Sequence, residues 1–228
     1  EAARVNADVV AAVADELDDT AETTGLHVAR AVAAVMSPGD TLMVGASNPI
    51  RDIALAGTVA DGVTVMSNRG VAGIDGTNAT AIGAALVAQG RTVALMGDLT
   101  FIHDATGLII GPDEPRPADL RIVVANDDGG GIFGLLEQGD QRFATGAYAG
   151  VNERIFGTPH RTDLAAMCAG FHIGHRQVSL AELPGVLAEP APAGGIEVLE
   201  VRTSREGLRS LHARISARLD AASGYPEQ

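Results

Sequence analysis

At 228 residues, 46% hydrophobic and 20% charged, the chain can bury one sizeable core with a short lead-in segment, and with 3% aromatic residues and no Trp that core has to be aliphatic. A formal net charge of −13 without any Lys/Arg run argues against nucleic acid and anionic membrane surfaces as partners. No apolar run approaches bilayer length and no signal peptide opens the chain, so a cytoplasmic protein without membrane insertion is expected; the single Cys168, in the apolar stretch Leu164 to Cys168, rules out an internal disulfide and reads as a buried thiol.

The chain opens in a helical pattern, with Val5, Val9, Val13 and Leu17 at i+4 spacing. Residues 1–23 are expected to form a linker helix from a preceding domain, and residues 24–228 the ligand-binding domain. From residue 24 onward, β-rich runs alternate with helical patterns. Thr41 to Val44 reads as a strand, followed by the loop Gly45-Ala46-Ser47-Asn48, and Pro49 suits the first turn of the next helix. Val63 to Ser67 is the second run, leading into Ser67-Asn68-Arg69-Gly70. A helix with Ala79, Ile82 and Leu86 on one face comes next. Thr92 to Met96 ends at Gly97-Asp98-Leu99, and Leu120 to Ala125 ends at Asn126-Asp127-Asp128-Gly129-Gly130-Gly131.

A weaker strand candidate spans Phe171 to Gln177. Ser179 with Glu182 forms a capping-box signature for a helix ending near Leu187. The Pro/Gly-rich stretch 188–195 precedes a last strand, Ile196 to Val201, and a helix with Leu208, Leu211, Ile215 and Leu219 on one face. Most strand runs are continuously apolar, as in parallel sheets covered on both sides. The expectation is an α/β fold: an open, doubly wound, mainly parallel sheet of about six strands with helices on both faces.

Four of the loops follow strands and therefore share one edge of the sheet, where such folds bind ligands. Gly97-Asp98-Leu99 opens a helix, whose unpaired N–H groups suit an anion; Asp98 there calls for a cation between it and a phosphate. Asp127 ends the next strand and should face the same cleft. Two carboxylates, a backbone carbonyl and a diphosphate make a reasonable Mg²⁺ site. Taken singly, Asp98 reads first as a helix cap and Asp-Gly-Gly as a turn, and those readings weaken when the two stand together at successive strand ends.

A Gly-Asp pair followed one helix and one strand later by an Asn-containing turn resembles the thiamine diphosphate (ThDP) motif, so the fold implied is the diphosphate-binding domain of that class. The resemblance implies that Asp98, Asp127 and the carbonyl of Gly129 hold Mg²⁺ (or Mn²⁺). Asp127 stands where that motif usually has Asn, and Asn126 is the alternative ligand. Four segments in order resemble the 2-succinyl-5-enolpyruvyl-6-hydroxy-3-cyclohexene-1-carboxylate (SEPHCHC) synthase family: Ser67 to Gly76, Gly97 to Asp104, Asp127 to Phe133 and Phe156 to His160.

That resemblance implies a transferase of menaquinone biosynthesis that decarboxylates 2-oxoglutarate and adds the product carbanion to isochorismate. It implies Arg51 and Arg69 as carboxylate partners and Ser47 as a hydroxyl near the active centre. Ile74 would prop the cofactor, with Gly97, Leu99, Ile132 and Phe133 lining its pocket. A pyrimidine-binding domain of the same enzyme, in a homodimer or homotetramer, would complete the site; this chain by itself is expected to bind diphosphate weakly and turn over nothing. His103 and His160 lack metal-ligand spacing and read as structural. The alternatives are another ThDP decarboxylase or ligase of the acetolactate synthase type, which Arg69 and the Gly73-Ile74-Asp75-Gly76 run oppose, and a non-catalytic nucleotide- or phosphate-binding module on the same fold.

Overall fold

Six parallel strands, in the order β2-β1-β3-β4-β6-β5, form the single sheet of the computed structural model, which describes residues 2–140, 142 and 149–223. They are β1 (Thr41–Val44), β2 (Thr64–Ser67), β3 (Thr92–Gly97), β4 (Leu120–Asn126), β5 (Gly174–Gln177) and β6 (Ile196–Arg202). β1, β3 and β4 are buried almost throughout, and β6 for most of its length, which explains their unbroken apolar character.

The longer helices are α1 (Ala2–Asp18), α2 (Gly25–Ala34), α3 (Asn48–Ala56), α4 (Thr77–Val87) and α5 (Asp98–His103), then α6 (Ala149–Asn152), α7 (Leu164–Gly170), α8 (Leu183–Leu187) and α9 (Leu208–Ser223). One aliphatic core joins Val28 and Val32 of α2, Ile53 of α3 and Leu183 and Leu187 of α8 to one face of the sheet. On the opposite face Ile82 of α4, Phe101 of α5 and Leu164 and Cys168 of α7 do the same. The sheet is therefore doubly wound. Burial pushes the Cys168 thiol up to about 11, consistent with an inert core residue.

A third cluster lies outside these layers. Val13 and Leu17 of α1 pack with Leu26 and with the Leu208, Leu211 and Ile215 face of α9, as that helix's spacing predicts. Buried Glu16 of α1 pairs with Arg214 and, at 2.7 Å, with Arg218. His27 ties the turn between α1 and α2: its Nδ1 accepts the Thr24 N–H at 3.1 Å and its Nε2 meets the Leu17 carbonyl at 2.9 Å.

Three expectations need correction. β2 is an edge strand whose apolar residues face outward, Val65 49% and Met66 40% exposed, so its apolar run does not signal double-sided cover. In α4 the buried stripe is Asn78, Ala81, Ile82 and Ala85, while Ala79 and Leu86 are exposed. The rotation follows from Asn78, whose Nδ2 donates inward to the carbonyls of Phe101 and Asp104, each at 2.9 Å; the positions three, four and seven residues on then turn inward with it. The weak strand at 171–177 shortens because His172 (φ 57) closes α7 in the left-handed region before the chain extends.

The capping box at Ser179 and Glu182 is present. The Glu182 carboxylate accepts from the Ser179 N–H at 2.8 Å, and the Ser179 hydroxyl accepts the Glu182 N–H at 3.3 Å. No helix among the described residues is long and apolar enough to cross a membrane.

Candidate active site

β1 leads outward to β2, whereas β3 leads the other way to β4, so the loops after β1 and β3 part and leave a crevice between them. A cavity of about 350 Å³ lies there, and each loop singled out from sequence contributes to its wall.

The loop after β1 supplies Ser47 and Arg51. Ser47 has φ 76 and ψ −134, a region costly for a residue with a Cβ. Although Ser47 stands at the cap position of α3, its hydroxyl makes no capping bond to the helix. Its carbonyl accepts from Arg51 Nη1 at 2.6 Å. Beside it, the Oδ1 of Asn48 is buried without a partner among the described residues. The loop after β2 brings Arg69 and Ile74 to the same cavity; Arg69 is exposed and forms no ion pair within the described residues.

The turn from β3 into α5 places Gly97, Asp98 and Leu99. Asp98 is 1% exposed, and three donors hold its carboxylate: the Leu99 N–H on Oδ1 at 2.6 Å, and the Gly129 N–H (2.9 Å) and His160 Nε2 (3.0 Å) on Oδ2. Gly97 occupies the cap position, so Asp98 lies inside the first turn.

The loop after β4 presents Asp127, Gly129, Ile132 and Phe133 to the cavity. Partial burial, and then the facing Asp98 charge, push the Asp127 carboxyl up to about 7. The glycines here are required by close approach. Gly129 has φ 149, and a Cβ on it would collide with the Gly157 carbonyl oxygen; a Cβ on Gly131 would collide with Asp127 Oδ2. Asn126, the alternative ligand, is engaged elsewhere. Its Nδ2 donates to Glu200 Oε1 at 2.7 Å and its Oδ1 accepts the Asp128 N–H at 3.0 Å.

Three contributors were missed from sequence. Asp52, on the buried side of α3 with Pro49 and Ile53, is 5% exposed and has no hydrogen-bond partner among the described residues; burial first, then Asp127, push its carboxyl up to about 7. Its position three residues after Pro49 and one before Ile53 was the available signal. His160, read as structural, touches Asp98, and its signal lay in the Phe156 to His160 segment. Arg205 bonds the Asp128 carbonyl at 3.2 Å and offsets part of the Asp127 charge, a placement that only the fold reveals. His103 sits exposed on the last turn of α5.

Among the described residues no three His, Cys, Asp or Glu side chains are grouped to hold a metal ion by themselves. A cation here would draw on two carboxylates, a backbone carbonyl and oxygens of its ligand, the mixed sphere that Mg²⁺ favours. The crowded carboxylates and the bare glycine backbone beside them fit such a guest.

Fold and site define a doubly wound α/β domain whose acidic, glycine-walled cleft at the strand carboxyl ends suits an oxygen-coordinated cation with an anionic ligand. No protein-family model matches the chain. It is similar to SEPHCHC synthases: 61% identical over 204 residues to that of Nocardia farcinica (90% of this chain, 36% of the relative) and 60% over 209 residues to that of Rhodococcus erythropolis (91% and 38%). To that of Mycobacterium ulcerans it is 56% identical over 221 residues (95% and 39%). The chain spans less than two-fifths of the length of these curated relatives. Over that stretch it is homologous to the SEPHCHC synthases.

Proposed function

We propose that this chain is the diphosphate- and metal-binding part of a SEPHCHC synthase, a ThDP-dependent transferase of menaquinone biosynthesis acting on 2-oxoglutarate and isochorismate. The observation that carries the reading is the pair Asp98 and Asp127, brought from neighbouring strand ends into one cavity where the Asp98 charge disfavours that of Asp127. A divalent cation held by the two carboxylates would relieve that repulsion and supply positive charge for an anionic ligand.

In this reading Asp98, Asp127 and the carbonyl of Gly129 hold Mg²⁺ or Mn²⁺, and Gly97 and Leu99 line the diphosphate side. Ile74, Ile132 and Phe133 form an apolar wall against the organic part of the cofactor. Bound there, ThDP supplies an electron sink for decarboxylation of a 2-oxo acid. The chain's own groups bind, orient and exclude water. Arg51 and Arg69, exposed at the rim, neutralise substrate carboxylates, which guanidinium can grip through two parallel bonds. The Ser47 hydroxyl, free of capping duty, is available to a substrate oxygen. A pyrimidine-binding domain of the same cytoplasmic enzyme, in a homodimer or homotetramer, completes the centre, with α1 leading in from a preceding domain.

Calorimetric titration of ThDP with and without Mg²⁺, on the wild type and on Asp98→Ala, tests the reading. Binding should require the cation and be lost in the variant; cation-independent binding that survives the substitution refutes it. Turnover of 2-oxoglutarate with isochorismate, against pyruvate alone, separates this enzyme from an acetolactate synthase type.

A further inference from the structure

We propose that His160 is a positioning residue that sets the spacing of the two carboxylates, and with it the affinity of the site for a divalent cation; the inference rests on the cation reading above. His160 follows the π-helical turn Glu153–Gly157 and does not line the cavity between the β1 and β3 loops. Its ring is nonetheless nearly enclosed, 12% exposed, with Nε2 at 3.0 Å from Asp98 Oδ2.

The partners of the ring fix where its proton lies. The Thr162 backbone N–H points at Nδ1 from 2.9 Å, and a backbone N–H can only donate. Nδ1 therefore presents its lone pair, the ring proton sits on Nε2, and Nε2–H donates to Asp98. The main chain of the same residue holds the other loop. The His160 N–H donates to Asp128 Oδ1 at 3.2 Å, and the Arg161 N–H donates to the same oxygen at 2.7 Å. Gly130 N–H to the Gly157 carbonyl, at 2.8 Å, fastens the two segments again.

One residue is thus bonded by its side chain to the turn after β3 and by its backbone to the turn after β4. These are the two turns that carry Asp98 and Asp127. With the Leu99 N–H on one Asp98 oxygen and Gly129 and His160 on the other, the carboxylate plane cannot rotate. Partners of this outer kind commonly contribute 10- to 100-fold to metal affinity.

The test is Mn²⁺ titration of the full-length protein, with free ion followed by electron paramagnetic resonance, in wild type, Asp98→Asn, His160→Gln and His160→Asn. Gln carries its amide nitrogen near the place of Nε2; Asn carries it near that of Nδ1. His160→Gln should bind as wild type does, and His160→Asn about 10- to 100-fold more weakly. Equal affinities in the two His160 variants overturn this proposal while leaving the cation reading intact. If Asp98→Asn binds Mn²⁺ like the wild type, the cation reading fails and this inference with it. Should the variants not fold, ¹⁵N spectra of the wild-type ring decide: a protonated Nε2 with a bare Nδ1 is expected, and the reverse tautomer refutes the proposal.

Discussion

Asp52→Asn should stabilise the protein in the absence of divalent cations, and more so as the pH rises. Asp52 is a buried carboxyl with no hydrogen-bond partner among the described residues, shifted from 3.8 to about 7 by burial and then by Asp127. In the unfolded chain the group loses its proton near pH 4, whereas the folded state keeps it to about pH 7. The folded state binds more protons across that interval, so its stability falls as the pH climbs through it and levels off above. The interval from 3.8 to about 7, at about 1.4 kcal/mol per pH unit, sets an upper bound on the order of 4 kcal/mol. Part of that figure belongs to Asp127, whose charge is a cause of the Asp52 shift after burial, and the new amide also lacks partners. Urea unfolding of both proteins in chelator, at pH 4.5 and pH 8, measures it. The variant's advantage should be at most about 1 kcal/mol at the lower pH and a few kcal/mol at the higher, with unchanged denaturant slope. A difference that stays the same at both values would refute the assignment of Asp52 as an unrelieved buried charge.

Gly131→Ala should drive Asp127 out of place through the collision with its Oδ2, weakening Mn²⁺ binding by at least about tenfold, as other disturbances around metal ligands do; unchanged affinity by calorimetry would show that Asp127 is not aimed at the ion. Ile215→Ala opens a cavity where α9 meets α1 and α2, and should cost about 2–5 kcal/mol in urea unfolding. Burial lowers the His27 pKa below its ordinary 6.5, so the unfolded chain takes up that proton first and stability should fall as the pH drops below about 6.5. A variant without the ring should lose this acid-side slope, and an unaltered slope would mean another group carries it.

The parts of the fold legible in sequence were those where burial and periodicity agree. β1, β3, β4 and β6 are buried on both faces, so their runs are unbroken and their ends nearly unambiguous. β2 carries the same residue types at an edge, where periodicity says nothing about cover. In α4 a buried amide, Asn78, outweighs the apolar pattern that Leu86 suggested, because two carbonyls need its N–H groups. The candidate site was readable for a topological reason: loops after parallel strands share an edge whatever their sequence separation. Asp52, His160 and Arg205 enter it from a helix interior, a turn far down the chain and the segment after the last strand. No local pattern announces that kind of convergence.

Within the cavity the three carboxylates differ in their company, and the difference locates the guest. Asp98 is held by three protein donors, one on Oδ1 and two on Oδ2. Asp52 has no such donor, and Asp127 remains shifted to about 7 despite the help of Arg205, so the charge left unanswered lies on their side of the cleft. The arginines that line the cavity, Arg51 and Arg69, are both exposed. An ordinary salt-bridge network would have interleaved the two signs, as Arg176 does with Glu189 and Glu197 at the opposite end of the sheet. Separation into an acidic floor and a basic rim favours a ligand that brings a cation at one end and carboxylates at the other. A metal-bound diphosphate beneath a dicarboxylate substrate has that polarity.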